Sequence, residues 1–160
     1  MILGMTTSTF TLIHVLLSLA GIGSGFIVVY GFLTGKRLDG WTAIFLATTV
    51  LTSLTGFLFP VEHLLPSHVV GVISLVVLAV AILARYALRL AGAWRWIYVV
   101  CAMLALYLNS FVAVVQSFLK APALKALAPT QKEPPFLVAQ LAVLVLFIVL
   151  GTLAVKKFRV

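Results

Sequence analysis

Acidic side chains are almost missing from this chain. Asp39, Glu62 and Glu133 are the only three in 160 residues, and charged residues of both signs make up 9%. Soluble domains carry about 25% charged residues, so there is too little polar surface here to cover a globule in water. Cysteine is as scarce. Cys101 stands alone, which excludes an intramolecular disulfide and a CxxC redox pair. Inside an apolar run it reads as a small packing residue. HExxH, GxSxG and a Gly-rich phosphate loop are absent, so hydrolytic and nucleotide-driven chemistry have no support. No internal repeat marks a second domain, and residues 1–160 read as a single membrane domain.

What the chain has instead is apolar length. It is 64% hydrophobic with a mean hydropathy of +1.27. A helix crosses a bilayer with about 20 apolar residues. Runs of that kind fall at about 8–34, 41–59, 67–88, 94–119 and 136–155. The fold class is therefore all-α: an integral membrane bundle of five transmembrane helices. Four is the competing count if the second or fifth run is re-entrant. Pro60, Pro66 and Gly92 break the chain, and Ser67 reads as the N-cap of the third helix. In the polar stretch 120–135, a plain linker is favoured over a short amphipathic turn at 123–128, whose apolar face is only Leu124 and Leu127. The first ten residues hold no Lys or Arg, unlike a cleaved leader, so the first run reads as a retained helix.

The net charge of +8 points to topology, not to nucleic acid, because no basic face or binding module is present. Lys36, Arg37, Arg85, Arg89, Arg95, Lys156, Lys157 and Arg159 fall on one side of a five-helix arrangement. Only Lys120, Lys125 and Lys132 fall on the other. The positive-inside rule then places the N-terminus outside and the C-terminus in the cytoplasm. Trp41, Trp94 and Trp96 lie at the cytoplasmic boundary, where an aromatic belt belongs. The expected location is a bacterial inner membrane, with the lipid bilayer as solvent and a membrane-protein partner or a second copy as possible company.

Polar residues inside such helices face the bundle interior and often mark function. His14, Ser18, Gly21 and Gly25 share one face of the first helix, with Gly21 and Gly25 forming a GxxxG pair. Thr48, Thr52 and Thr55 line the second, with Thr49, Ser53 and Gly56 beside them. His68, Gly71, Leu75 and Ala79 share a face of the third. Asn109, Gln116 and Lys120 share one on the fourth, and Gln140 enters from the fifth. Nearly all of these fall in the outer half of the bundle. His14 lies about 9 Å into its helix at 1.5 Å per residue.

His14, His68, Gln116, Gln140 and Asn109 are thus the candidate cofactor-binding residues, and His14, His63, His68 and Glu62 the candidate metal ligands. Three chemistries suit them. Two histidines on different helices could be axial ligands of a b-type haem, with the small residues beside His14 and Gly71 leaving room for a porphyrin. Imidazoles with Glu62 suit a divalent metal such as zinc or copper. His14, Asn109, Gln116 and Gln140 could line a quinone or proton site. The competing reading is an accessory or assembly subunit of a larger membrane complex, with structural histidines.

Three stretches, HVLLSLAGIGSGF, FP…PSHVVGVISL and APTQKEPPF, resemble a group of small proteobacterial membrane proteins. The resemblance covers nearly the whole chain. It implies a bacterial inner membrane and carries no activity, cofactor or site residue.

Overall fold

The computed structural model describes residues 4–59 and 66–158, the side chains of Pro66 and Ser67 excepted. Glu62 and His63, and the capping role expected of Ser67, lie outside what is described. The fold is all-helical, with no strand among the described residues. Five long helices follow one another: α1 (Thr7–Thr34), α2 (Asp39–Gly56), α3 (Pro66–Ile82), α4 (Trp94–Lys120) and, after a short α5 (Pro122–Leu127), α6 (Pro134–Lys157). The linker expected at 120–135 is therefore corrected: residues 122–127 coil into α5, which packs back on α4. Pro122 at its first turn costs nothing there, since that N–H has no intrahelical partner.

Four helical segments are long and apolar enough to cross a membrane: Thr7–Thr34, His68–Ala87, Trp94–Lys120 and Pro134–Lys157. The second helix falls short on composition. Asp39 and the hydroxyls of Thr42, Thr48, Thr49, Thr52, Ser53 and Thr55 dilute its apolar content. Its helical part also ends at Gly56, three residues before the end expected from the sequence.

Local chemistry explains the helix ends. The Thr6 hydroxyl accepts from the N–H of Thr9 at 3.2 Å and caps α1. Gly35 closes α1 at φ +72, a left-handed conformation that glycine adopts without strain. The third helix widens into a π-helical turn at Leu83–Ala87, where Ala84 and Arg85 are buried in the interior.

Helices α1 to α4 form a ring in chain order, and α6 packs on its outside against α1 and α4. Lipid tails are as apolar as leucine, so close packing and interhelical hydrogen bonds hold such helices together. The packed core occupies one half of the bundle. Phe32, Tyr98 and Phe158 pack there edge-on, with ring centroids 5.7 and 4.9 Å from Phe32. Leu78, Ala81, Ala84, Val99 and Ala105 fill the space around them.

That half ends in two arginine ties. Arg85, 3% exposed, reaches Asp39, the Arg37 carbonyl at 3.4 Å and the Tyr98 hydroxyl at 3.3 Å. Arg95 donates to the Val155 carbonyl at 3.1 Å and to that of Phe158. In the sequence both count only among the basic residues of one side. Each is also an interhelical strut, because a long side chain can turn inward to unsatisfied carbonyls at helix ends.

Candidate functional site

At the opposite end the four ring helices enclose a cavity of ≈ 680 Å³. The N-terminal half of α1, the C-terminal end of α2, the start of α3 and the C-terminal half of α4 all line it, and Leu124 of α5 reaches its edge. His14, His68, Asn109 and Gln116 stand on its wall together with Thr49, Thr52, Ser53, Ser74 and Lys120. Among the described residues no carboxylate lines it. Gln140 is elsewhere: its amide donates to the Phe111 carbonyl at 3.3 Å, bridging α6 to α4 behind the wall.

His14 is held from α2. Its Nδ1 lies 2.7 Å from the Thr55 hydroxyl, and its ring meets Phe59 edge-on at 5.3 Å. Hydrogen accounting sets the tautomer. The Thr55 hydroxyl has one proton, which it donates one turn back to the Leu51 carbonyl at 2.7 Å. Its oxygen then accepts from His14, so the ring proton sits on Nδ1. Giving the Thr55 proton to His14 instead would leave two oxygens at 2.7 Å with nothing between them. Nε2 is left as a bare lone pair, with no hydrogen bond among the described residues.

One turn deeper, the Ser18 hydroxyl donates to Asn109 Oδ1 at 2.8 Å, and Asn109 Nδ2 returns to the Ser18 carbonyl at 3.4 Å. Nδ2 carries two protons, and the second has no partner among the described residues. Deeper still, Thr49 is 2% exposed and its hydroxyl has no partner. A buried unpaired hydroxyl costs about 1–3 kcal/mol, so this one is kept at a loss. Gly21 makes the approach possible: a Cβ there would stand 3.0 Å from Thr49 Oγ1 and 3.1 Å from Asn109 Nδ2.

The cavity ends at the next turn. A Cβ on Gly25 would meet Leu106 Cδ1 at 2.5 Å and Phe45 Cε1 at 3.0 Å, and both side chains are 1% exposed. The polar ladder of α1 therefore runs into packed hydrocarbon.

His68 is buried at the start of α3, with its ring 5.6 Å from that of Phe57. The room a porphyrin was expected to find is taken. Phe57 stands 2.9 Å from where a Gly71 Cβ would be, Thr49 and Asn109 cover Gly21, and Leu106 and Phe45 cover Gly25. The small residues thus admit neighbouring side chains, and the site does not fit a haem as the sequence suggested. For a metal, no group of three His, Cys, Asp or Glu side chains comes together among the described residues.

Two features escaped the sequence reading. Thr55 as the partner of His14 has no local signature, because the pair is 41 residues apart. Ser74 does have one: His68, Gly71 and Ser74 follow at spacings of three, which share a helix face. No protein-family model, curated protein or solved structure matches the chain.

Proposed function

We propose that this is a five-span protein of a bacterial inner membrane, N-terminus outside, which binds a small membrane-soluble amphiphile in the cavity between α1 and α4. The observation that carries the reading is the dead-ended cavity with unused hydrogen-bonding capacity in its wall. A conducting path would need polar groups through to the other end, and packed hydrocarbon at Gly25, Leu106 and Phe45 interrupts them. An apolar pocket with a few convergent polar groups is the usual form of a small-molecule site.

Five spans are supported by the course of α2. It meets His14 through Thr55 at one end of the bundle and Arg85 through Asp39 at the other. Its 18 residues rise about 27 Å at 1.5 Å each, close to the ~30 Å of a hydrocarbon core. The orientation is supported by charge. The arginine end gathers Lys36, Arg37, Arg85, Arg89, Arg95, Lys156 and Lys157, seven of the eleven basic residues.

Mass spectrometry of the protein released from detergent micelles tests the binding reading. A bound amphiphile near one per chain is expected, and Ala113→Trp, which fills the cavity from α4, should lose it while still folding. Protein that is empty in every preparation, or a ligand indifferent to Ala113→Trp, overturns the reading in favour of an accessory subunit. A reporter fluorescent only in the cytoplasm, fused after Val160, should be bright; a dark fusion in inserted protein overturns the topology.

A further inference from the structure

The hydrogen-bonding groups on the cavity wall do not ask for the same thing at both levels. At the upper level His14 offers a bare Nε2, because Thr55 takes the Nδ1 proton and spends its own on Leu51. That atom accepts and does not donate. One to two turns deeper, Asn109 has an unused N–H and Thr49 an unpaired hydroxyl. The Thr49 oxygen is sealed by its neighbours, so the Asn109 N–H is the donor that the deeper wall presents to the cavity. A molecule that satisfies the wall must bring a donor above and an acceptor below.

The separation of the two levels narrows the class. His14 and Ser18, the partner of Asn109, are four residues apart, or about 6 Å of main-chain rise. The para oxygens of a six-membered aromatic ring stand about that far apart. Val15, Leu19, Leu108 and Val112 give the rest of the wall an apolar surface for a hydrocarbon tail.

We propose that the cavity takes the reduced, hydroquinone form of a lipid-soluble quinone, its upper hydroxyl donating to His14 Nε2 and its lower oxygen accepting from Asn109 Nδ2. The oxidised quinone has acceptors at both ends. It would set a carbonyl lone pair against the Nε2 lone pair, so the wall distinguishes the two redox forms. A long-chain carboxylate also brings no donor and is refused at the same atom. The proposal rests on the binding reading above and adds the class of head group.

The test is a ligand series on the full-length protein in detergent, read as the ligand-dependent rise in Tm, which follows occupancy of the native state. The ligands are decylhydroquinone kept reduced without oxygen, the oxidised decylquinone, the dimethyl ether of the hydroquinone, and decanoate. The hydroquinone should bind at least about tenfold more tightly than the other three, the ratio that one unmet buried hydrogen bond supplies. In His14→Phe this preference should vanish, so that hydroquinone and ether bind alike. In Thr55→Val it should weaken, because nothing then holds the proton on Nδ1.

Equal affinity for hydroquinone and ether, or tighter binding of quinone or decanoate, overturns the head-group assignment and leaves the amphiphile site standing. A preference that survives His14→Phe overturns it as well. No saturable binding of any member, with no co-purified ligand, overturns both readings. The wild-type series decides the matter even if a variant fails to fold.

Discussion

The two ends of the bundle handle polar groups in opposite ways. At the arginine end Arg85 and Arg95 are both tied to partners on other elements. Arg85 has Asp39, a carbonyl and the Tyr98 hydroxyl, Arg95 has two carbonyls, and aromatic rings fill the space between. At the histidine end the groups are smaller and mostly neutral, and several keep an unused proton or lone pair around a void. In lipid an unmet polar group has no water to turn to. The difference teaches that partners are used up where the helices pack solidly and left over where they part around a cavity.

The sharpest way to break this division is at the boundary between the halves. Gly25→Leu drives a side chain into Leu106 and Phe45, and thermal unfolding should show a loss of about 3 kcal/mol, the upper end for overpacking. Gly23→Leu, two residues away with open space around it, is the matched control and should change little. Gly35, although it lies in a loop, is no control: its φ of +72 makes any side chain strained. Equal Tm values for Gly25→Leu and Gly23→Leu would mean that the face of α1 bearing His14 looks at lipid.

Next come the charges of the arginine end. Asp39→Asn leaves the Arg85 guanidinium buried without its countercharge, and should cost about 2 kcal/mol in a denaturant titration. Arg85→Met leaves Asp39 in contact with solvent, where its side chain is already 74% exposed, and should cost roughly half as much. The reverse order would show that Asp39, not Arg85, is the buried partner.

At the histidine end the sign changes. Thr49→Val replaces an unpaired buried hydroxyl with a methyl group of similar size, so it should be neutral or stabilise by up to about 1 kcal/mol. A clear destabilisation would mean that the hydroxyl has a partner in the membrane, and the contrast between the ends would soften.

The smallest effect is in the loop that leads into α6. Glu133 accepts from the Thr130 side chain and from the backbone N–H groups of Thr130 and Lys132. The Thr130 hydroxyl, chiefly, and the backbone N–H groups hold its carboxyl below the usual carboxylate range. A folded pKa below the unfolded one adds stability above the ordinary carboxylate pKa, and that stability is lost as pH falls through the depressed value. Hydrogen exchange at the Thr130 and Lys132 amides should therefore quicken as the solution is acidified through that range, relative to Glu133→Gln. Identical pH dependence in the two proteins would remove Glu133 from the account of that loop.

Much of this was legible in the residues. The apolar runs place the long helices to within a few positions, and spacings of three and four put His14, Ser18, Gly21 and Gly25 on one buried face. The misplaced parts share one cause. Gln140 was grouped with His14 because both are polar and near the same end, yet its helix packs outside the ring. The glycines were read as room for a cofactor, and are room for Phe57, Phe45 and Leu106.

The sequence by itself determined the solvent, the helices and which way each helix turns its polar side, because hydropathy and periodicity are properties of a segment alone. Tertiary structure decided what stands opposite. Thr55 faces His14, Asn109 faces Ser18, Asp39 faces Arg85, and the Thr49 hydroxyl has no partner among the described residues. Those partners are 41, 91 and 46 positions apart in the chain. Only the rotation and crossing of packed helices brings them within a hydrogen bond.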